Sequence, residues 1–171
     1  SVLETVEIAR QKKLVLVSGL CWRYNDRHRE LFRRVHDGAI GEVRAFYSTY
    51  NGVPNATVAR AASMSDMETQ IRNWYHFTWL SGDHICEQHV HNIDAINWAM
   101  RAHPVKALGM GGRQVRVDPA YGNIFDHFTI EFEYPNGATG VFITSTGESP
   151  GSDYFEIVGD RGRLLLSGKN L

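Results

Sequence analysis

Cysteine is scarce in this chain of 171 residues, which contains only Cys21 and Cys86. The two lie far apart and form no Cys-x-x-Cys pattern, so the sequence indicates no disulfide framework, and a reducing compartment is expected. Cys86 is predicted to be a buried, unreactive thiol. No apolar run approaches the roughly 20 residues of a transmembrane helix, and no signal peptide opens the chain, which predicts a cytoplasmic protein without a membrane partner.

Charge of one sign is not in excess either. The chain has 18 basic and 19 acidic residues and a formal net charge of −1, so no nucleic-acid partner is expected. Hydrophobic residues make up 43% of the chain. That fraction is sufficient for the core of about one domain.

The first 19 residues show the pattern of a helix followed by a buried strand. Val2, Val6 and Ala9 recur at helical spacing, and the continuous apolar run at 14–19 (LVLVSG) is typical of a strand covered on both faces in a parallel sheet. One helix and one such strand cannot form a domain. We therefore expect the tail of a doubly wound unit whose earlier repeats precede Ser1, where an export signal could also lie.

The remaining chain reads as helices followed by strands. Asn25 or Asp26 caps a helix that ends at Gly38, and a long strand follows as far as Gly52. Five later segments alternate with period two: VKALGMGGRQVRV, FDHFTIEFEY, TGVFITST, YFEIVG and RLLLS. Turns at 135–137 and 160–162 join strands of a predicted antiparallel meander. The predicted fold class is α+β, an open, mostly antiparallel sheet with helices on one face.

Two details of these strands carry further expectations. Gly109, Gly111 and Gly112 form a Gly-x-Gly-Gly with no helix after it, which favours a bulge or a close ligand approach over a phosphate loop. Apolar residues occupy both parities in FDHFTIEFEY and TGVFITST, so the outer face of the sheet is expected to support a homodimer or homotetramer. The chain stops just after the last predicted strand, so a C-terminal truncation is also expected.

The segment at 82–98, GDHICEQHVHNIDAINW, is the richest in chemistry. Read as one helix, it places Glu87, His91 and Asp94 at i, i+4 and i+7, on a single face. A carboxylate beside an imidazole is suited to proton transfer near neutral pH. The preceding run at 72–76, RNWYH, carries side chains suited to binding a polyhydroxyl ligand, although Trp74 taken singly is expected to be a core residue.

Other interpretations of the cluster remain open at this stage. The histidines could satisfy hydrogen bonds in a core, and acid–histidine pairs could be solvated helix pairs. His89, His91 and Glu87 are ligand types for zinc or iron, which would make the protein a metal-dependent hydrolase or isomerase. Residues at i and i+2 diverge on a helix, however, so the metal interpretation requires a strand there. A non-catalytic carbohydrate-binding module is a further alternative.

The order of these elements resembles the glucose–fructose oxidoreductase, inositol dehydrogenase and rhizopine-catabolism family (Gfo/Idh/MocA). The likeness spans nearly the whole chain and is most specific at 22–43 (WRYNDRHRELFRRVHDGAIGEV) and at 82–94 (GDHICEQHVHNID). The second segment is similar to the family's Gly-Gly…Asp-x-x-x-His-x-x-Asp signature. Glu87 departs from that pattern, because aspartate is usual four residues before the histidine.

The resemblance implies an NAD- or NADP-binding Rossmann domain followed by an α/β substrate domain. Residues 1–19 would be the tail of the first domain, and residues 20–171 would form the second. The family's glycine-rich loop and its Glu-Lys-Pro lysine would then precede Ser1. The implied activity is hydride transfer from a sugar, polyol or related hydroxy compound, and this segment alone is expected to be inactive.

The resemblance also implies roles for individual residues. His91 matches the histidine that exchanges a proton with the substrate hydroxyl, and Glu87 is expected to orient it. Arg23 and Tyr24 match the segment that faces the nicotinamide end of the cleft. The expected substrate-binding residues are Arg72, Asn73, Trp74, Tyr75, His89 and Asp94. No metal is expected.

Overall fold

Six strands form one open sheet in the computed structural model of the chain, which describes residues 1–52, 55–146 and 152–167. The strands are β1 (Val43–Gly52), β2 (Lys106–Gly112), β3 (His127–Glu133), β4 (Thr139–Thr146), β5 (Ser152–Gly159) and β6 (Arg163–Ser167). Their order is β2-β3-β4-β1-β5-β6. Only β1 and β4 pair in parallel, and every other pair is antiparallel.

The described residues also form six α-helices. They are α1 (Val2–Gln11), α2 (Asp26–His36), α3 (Asp66–Arg72), α4 (Thr78–Ser81), α5 (Asp83–Glu87) and α6 (Val90–Met100). Short 3-10 turns cover Cys21–Tyr24, Trp74–His76 and Pro119–Tyr121. In the described parts of the chain, no helix is long and apolar enough to cross a membrane.

The core lies between the sheet and helices α2 and α6. Phe32 of α2 and Ile96 of α6 are fully buried, as are Phe142 of β4 and Phe155 of β5. The approach of α6 is close, because a Cβ atom on Gly140 would lie 2.7 Å from Cγ2 of Ile96. The predicted α+β class, an open and mostly antiparallel sheet with helices on one face, is confirmed.

The predicted meander is wrong in one respect, the position of β1. This strand lies between β4 and β5, so those two strands are not neighbours in the sheet. Turn residues predict hairpins, and the turns between β3 and β4 and between β5 and β6 are indeed hairpins. The insertion of β1 depends instead on its own buried residues, since Phe46 and Ser48 face the helices and are 0% and 1% exposed.

The predicted strand at 14–19 is also wrong. These residues have no regular secondary structure, and the side chains of Leu14, Val15, Leu16 and Val17 are 62–89% exposed. A strand buried on both faces requires neighbouring strands that bind its backbone groups and helices that cover it. None of the strands described pairs with this segment. The preceding helix α1 forms as predicted, although it buries no residue.

The Gly-x-Gly-Gly segment lies within β2 and pairs with β3 in an uninterrupted register, so no bulge forms. A Cβ atom on Gly111 would lie 2.6 Å from the Phe128 ring and 2.8 Å from the carbonyl oxygen of His127. Packing against β3 and its neighbouring rings therefore accounts for this glycine. Residues 168–171 lie outside the described residues, and the expected truncation after the last strand stays a prediction.

The face of the sheet turned away from the helices carries several exposed apolar side chains. We name this surface the outer face. Its apolar members are Tyr47, Leu108, Met110, Ile143 and Leu165, which are 40–74% exposed. They come from β1, β2, β4 and β6, so apolar groups are spread across the sheet. In β4 this distribution agrees with the apolar residues found at both parities in the sequence, since Ile143 is exposed and Phe142 is buried. In β3 it does not, because the outer positions are His127, Thr129, Glu131 and Glu133.

Candidate active site at the start of helix α6

The histidine-rich segment is broken into two helices where a single helix was predicted. Gly82 and Asp83 both adopt left-handed backbone conformations, with φ of 73° and 69°. Such a conformation disfavours a residue with a Cβ atom. Hydrogen bonds hold Asp83 in it, because its carboxylate accepts from the backbone N–H of His84 at 2.7 Å and of Phe125 at 2.9 Å. The second break, at 88–89, separates α5 from α6.

The break at 88–89 divides the predicted catalytic face between two helices. Glu87 is the last residue of α5, whereas His91 and Asp94 lie one turn apart on α6. No hydrogen bond between Glu87 and His91 occurs among the described residues. Burial raises the pKa of the Glu87 carboxyl, and the neighbouring His91 opposes that rise. The two groups therefore interact through charge rather than through a direct hydrogen bond.

His91 packs against an aromatic residue that precedes α2. The ring centroids of His91 and Trp22 are 5.3 Å apart, and the ring planes are inclined by 30°. Nδ1 of His91 is buried and has no hydrogen-bond partner in the described structure. A proton can therefore be exchanged with a ligand only at Nε2.

Asp94 and Arg23 form a bidentate ion pair. Nε of Arg23 donates to Oδ2 of Asp94 at 2.8 Å, and Nη2 donates to Oδ1 at 2.9 Å. The guanidinium also lies over the Trp98 ring, 5.0 Å from its centroid. The bond to Asp94 raises the pKa of Arg23, so the guanidinium stays charged. The structure thus pairs a predicted cofactor residue with a predicted substrate residue, while Tyr24 beside them is 69% exposed.

His89 occupies the core, not the open side of the site. Its ring is fully buried, and Nε2 lies 2.9 Å from Oγ1 of Thr144. The Tyr50 ring contacts it at a centroid distance of 5.0 Å. Burial, together with repulsion from His84 and His91, lowers the pKa of His89 to about 3. The ring is consequently neutral at pH 7, and its placement supports a structural role more than the predicted contact with substrate.

The predicted ligand-binding residues at 72–74 also differ in burial. Asn73 is buried and hydrogen-bonds both backbone groups of Val58, at 2.7 and 3.0 Å, so it fixes a loop. Arg72 is exposed and pairs with Glu68. The Trp74 side chain is 45% exposed, which contradicts the core interpretation.

Tyr75 reaches the catalytic segment through Gln88. Its hydroxyl donates to Oε1 of Gln88 at 2.8 Å, and Nε2 of Gln88 donates to the hydroxyl of Tyr50 at 2.8 Å. This chain of bonds ties β1 and the Trp74–His76 turn to the residue that follows Glu87. No local pattern singles out Gln88, because its role depends on partners 13 and 38 residues away.

The ligand set of the metal interpretation does not assemble in the described residues. His89 contacts Thr144 inside the core, whereas His91 contacts Trp22. No group of three or more His, Cys, Asp or Glu side chains suited to a metal ion is found among the residues described. Cys86 is exposed, and the prediction of a buried thiol is wrong, because α5 turns this residue toward solvent.

Asp153 is a carboxyl that the sequence did not reveal. It lies opposite Tyr50 in the register of β1 and β5, and it shares a face with Phe155, which contacts Trp22. Burial raises its pKa to about 6, and its Oδ1 has no hydrogen-bond partner among the described residues. The signal that could have found it is alternation, since Asp153 precedes Phe155 by two positions on the same strand.

The buried His89 generates a prediction about acid stability. Its pKa is lower when folded than the ordinary value of 6.5, so the unfolded chain takes up a proton first as the pH falls. The free energy of unfolding should therefore decrease below pH 6.5, by roughly 1.4 kcal/mol per pH unit from this group, until the pH approaches 3. His89→Gln retains a polar partner for Thr144 and should flatten this dependence.

Urea unfolding at about pH 7, 6 and 5 measures how the free energy of unfolding depends on pH. The difference between His89→Gln and the parent isolates this group, because other titrating residues contribute equally to both proteins. His103→Gln, which removes an exposed histidine outside the cluster, is the matched control and should keep the parental slope. An unchanged slope in His89→Gln would contradict the prediction.

Comparison with known proteins is consistent with this geometry. The family model described as GFO/IDH/MocA C-terminal domain matches residues 28–165. A search of curated proteins finds no match. Among solved structures, aldose-aldose oxidoreductase from Caulobacter crescentus, complexed with glycerol, is 17% identical with a TM-score of 0.76, over 97% of this chain and 45% of its own.

Two further solved structures are similar in fold. Myo-inositol 2-dehydrogenase from Lactobacillus plantarum is 20% identical, with a TM-score of 0.70 over 93% of this chain and 44% of its own. GenD2 from gentamicin A biosynthesis, in complex with NAD, is 15% identical, with a TM-score of 0.73 over 93% of this chain and 41% of its own. The chain thus spans less than half the length of these proteins. Its sequence match and its fold together show that it belongs to the Gfo/Idh/MocA family, as a C-terminal domain.

Proposed function

We propose that the complete protein is an NAD(P)-dependent oxidoreductase that oxidises a hydroxyl group of a sugar, polyol or related compound. Residues 20–171 would form its substrate domain, and residues 1–19 the tail of its Rossmann domain. The observation that carries the proposal is the placement of His91 at the start of α6, where its buried Nδ1 leaves Nε2 as the atom that we propose meets the substrate. Family membership and the names of the similar structures support the reaction class.

The division into domains agrees with the exposure of the first residues. The apolar run at 14–17 and the helix α1 before it bury almost nothing in this chain. Apolar surface of that kind is usually covered by a partner or a further domain. Residues that precede Ser1 are the covering that we propose.

The dinucleotide would be bound mainly by that preceding segment. Its pyrophosphate requires a glycine-rich turn between a strand and a helix. In the described residues the Gly-x-Gly-Gly lies inside β2, so it does not supply such a turn. Tyr24 is exposed beside the catalytic segment and would face the nicotinamide end, where the bound cofactor accepts the hydride.

The chain itself would supply the proton transfer. Nε2 of His91 accepts the proton of the substrate hydroxyl, which leaves an imidazolium. The Glu87 carboxylate stabilises that positive charge because the two groups interact electrostatically. Asp94 is committed to Arg23 and would act through it. Of the predicted substrate-binding set, Trp74 is exposed and would contact a polyhydroxyl compound, whereas Tyr75 supports Gln88. Arg72 is also exposed but is paired with Glu68.

Replacing His91 tests the proposal directly. In the complete protein, His91→Ala should lower kcat by about 10²–10⁴-fold, because it removes a positioned acid–base group. Affinity for the cofactor should hardly change, since His91 would face the substrate. The assay follows reduction of NAD⁺ or NADP⁺ with myo-inositol, scyllo-inositol or D-glucose, and a thermal melt confirms folding. Near-normal turnover by well-folded His91→Ala would refute the assignment, and His103→Ala is the matched control.

Replacing Glu87 separates charge from proton transfer. Glu87→Gln keeps the proton carrier and should cost less in kcat than His91→Ala. Burial raises the pKa of the Glu87 carboxyl, so protonation of this group should contribute an acid limb to the pH–rate profile, and Glu87→Gln should remove that limb. A profile that keeps the parental limb, measured at equal thermal stability, would show that Glu87 does not act on His91.

The outer face generates a prediction about assembly. We propose that it joins copies of the complete protein into a homodimer or homotetramer, because exposed apolar residues are spread across its strands. Ile143→Lys places a charge near the centre of this face and should produce a smaller species in light scattering. Val58→Lys changes an apolar side chain of similar exposure away from the sheet and should not. A parent protein that is monomeric at all concentrations would oppose this proposal.

A further inference from the structure

Among the residues that the structure describes, Trp22 is the aromatic residue that contacts the proposed proton acceptor. Its indole lies against the imidazole of His91, with 5.3 Å between ring centroids. It also stacks on the buried His28, at 5.3 Å and an interplanar angle of 14°, and meets Phe155 at 5.4 Å. Residues of α2 and β5 therefore fix the position of the indole, and the indole in turn limits the positions that the His91 ring can occupy.

The turn that carries Trp22 is attached to α6 at two points. Trp22 contacts His91, and the next residue, Arg23, binds Asp94, which lies three positions after His91 on the helix. Positions three apart lie on the same side of a helix. Two neighbouring residues of the 3-10 segment therefore contact successive helical turns of α6. The side chain of Asn25 caps α2 directly afterwards, by accepting from the backbone N–H of Arg27 and His28. The Cys21–Tyr24 turn is thus fixed at both ends.

Hydrogen bonds do not supply the orientation of His91. A catalytic imidazole is usually oriented by a bond from its second nitrogen to a carboxylate or carbonyl. Here Nδ1 of His91 is buried without such a partner in the described structure. Glu87 interacts with the ring through charge, but no hydrogen bond joins them among the residues described. Among the described residues, the indole of Trp22 is a ring that packs directly against the His91 imidazole.

We infer that Trp22 is the positioning residue for His91, and that it holds the imidazole so that Nε2 faces the substrate. The inference rests on the proposed function for its consequence in catalysis, but the contact can be tested without turnover. Loss of the indole would let the ring rotate and admit water to Nδ1. A misplacement of about 1 Å can reduce a rate by about 10²-fold.

Nuclear magnetic resonance of the histidine ring protons in the protein tests the contact. The His91 signal is identified by its disappearance in His91→Gln. In the parent, the indole ring current should displace the chemical shift of this signal from that of an exposed histidine. Trp22→Leu should move the chemical shift toward the exposed value, and Trp22→Phe should give an intermediate value. Trp79→Leu removes an exposed tryptophan elsewhere and should leave it unchanged. A His91 signal that is the same in the parent and in both Trp22 variants overturns the inference.

Kinetics of the complete protein test the consequence, with NAD⁺ or NADP⁺ and the same three hydroxy compounds. Trp22→Leu should lower kcat by about 10²-fold with little change in KM for the cofactor, and Trp22→Phe should recover part of the loss. A purely structural role would lower thermal stability without this split. If His91→Ala is inactive while Trp22→Leu turns over normally, the inference fails and the proposed function stands. If His91→Ala is active, the proposed function fails. The His91 ring-proton signals of the parent and the Trp22 variants then decide by themselves whether Trp22 positions His91.

Discussion

The packing of α6 on the sheet is the interaction on which the rest of the structure depends. Ile96 enters the space that the absent side chain of Gly140 leaves, so the helix axis can lie close to β4. Polar bonds fix the helix along its length, because Asn92 donates to Oγ of Ser48 at 2.9 Å and His89 bonds Thr144. The start of α6, where His91 lies, is therefore fixed above β1 and β4.

That placement explains why adjacent histidines differ so much in character. His89 faces the sheet, is desolvated, and is neutral because burial lowers its pKa to about 3. His91 lies two positions later and contacts Trp22. A helix sends residues at i and i+2 in different directions, so the two imidazoles have different surroundings, and the second is the one that the proposed proton transfer uses.

Much of the fold was predictable from pattern. Helix α2, the strand β1 and the later strands follow from caps, alternation and turn residues, and Asp94 was correctly placed one helical turn after His91. The prediction of a strand at 14–19 was wrong because an apolar run is compatible with burial but does not supply the neighbouring strands and helices that a buried strand requires. The meander failed because a turn specifies the pairing of the two strands it joins and says nothing about a distant strand that enters between others.

The sequence by itself determined the class of fold, the family and the identity of the candidate proton acceptor, because local spacing and short motifs carry that information. Only the tertiary structure decided which partner each functional group meets. The pairing of Arg23 with Asp94, the contact of Trp22 with His91 and the buried carboxyl of Asp153 join residues that are far apart in the chain. Such contacts depend on how α6 and the sheet bring distant segments together, and periodicity within one segment cannot specify them.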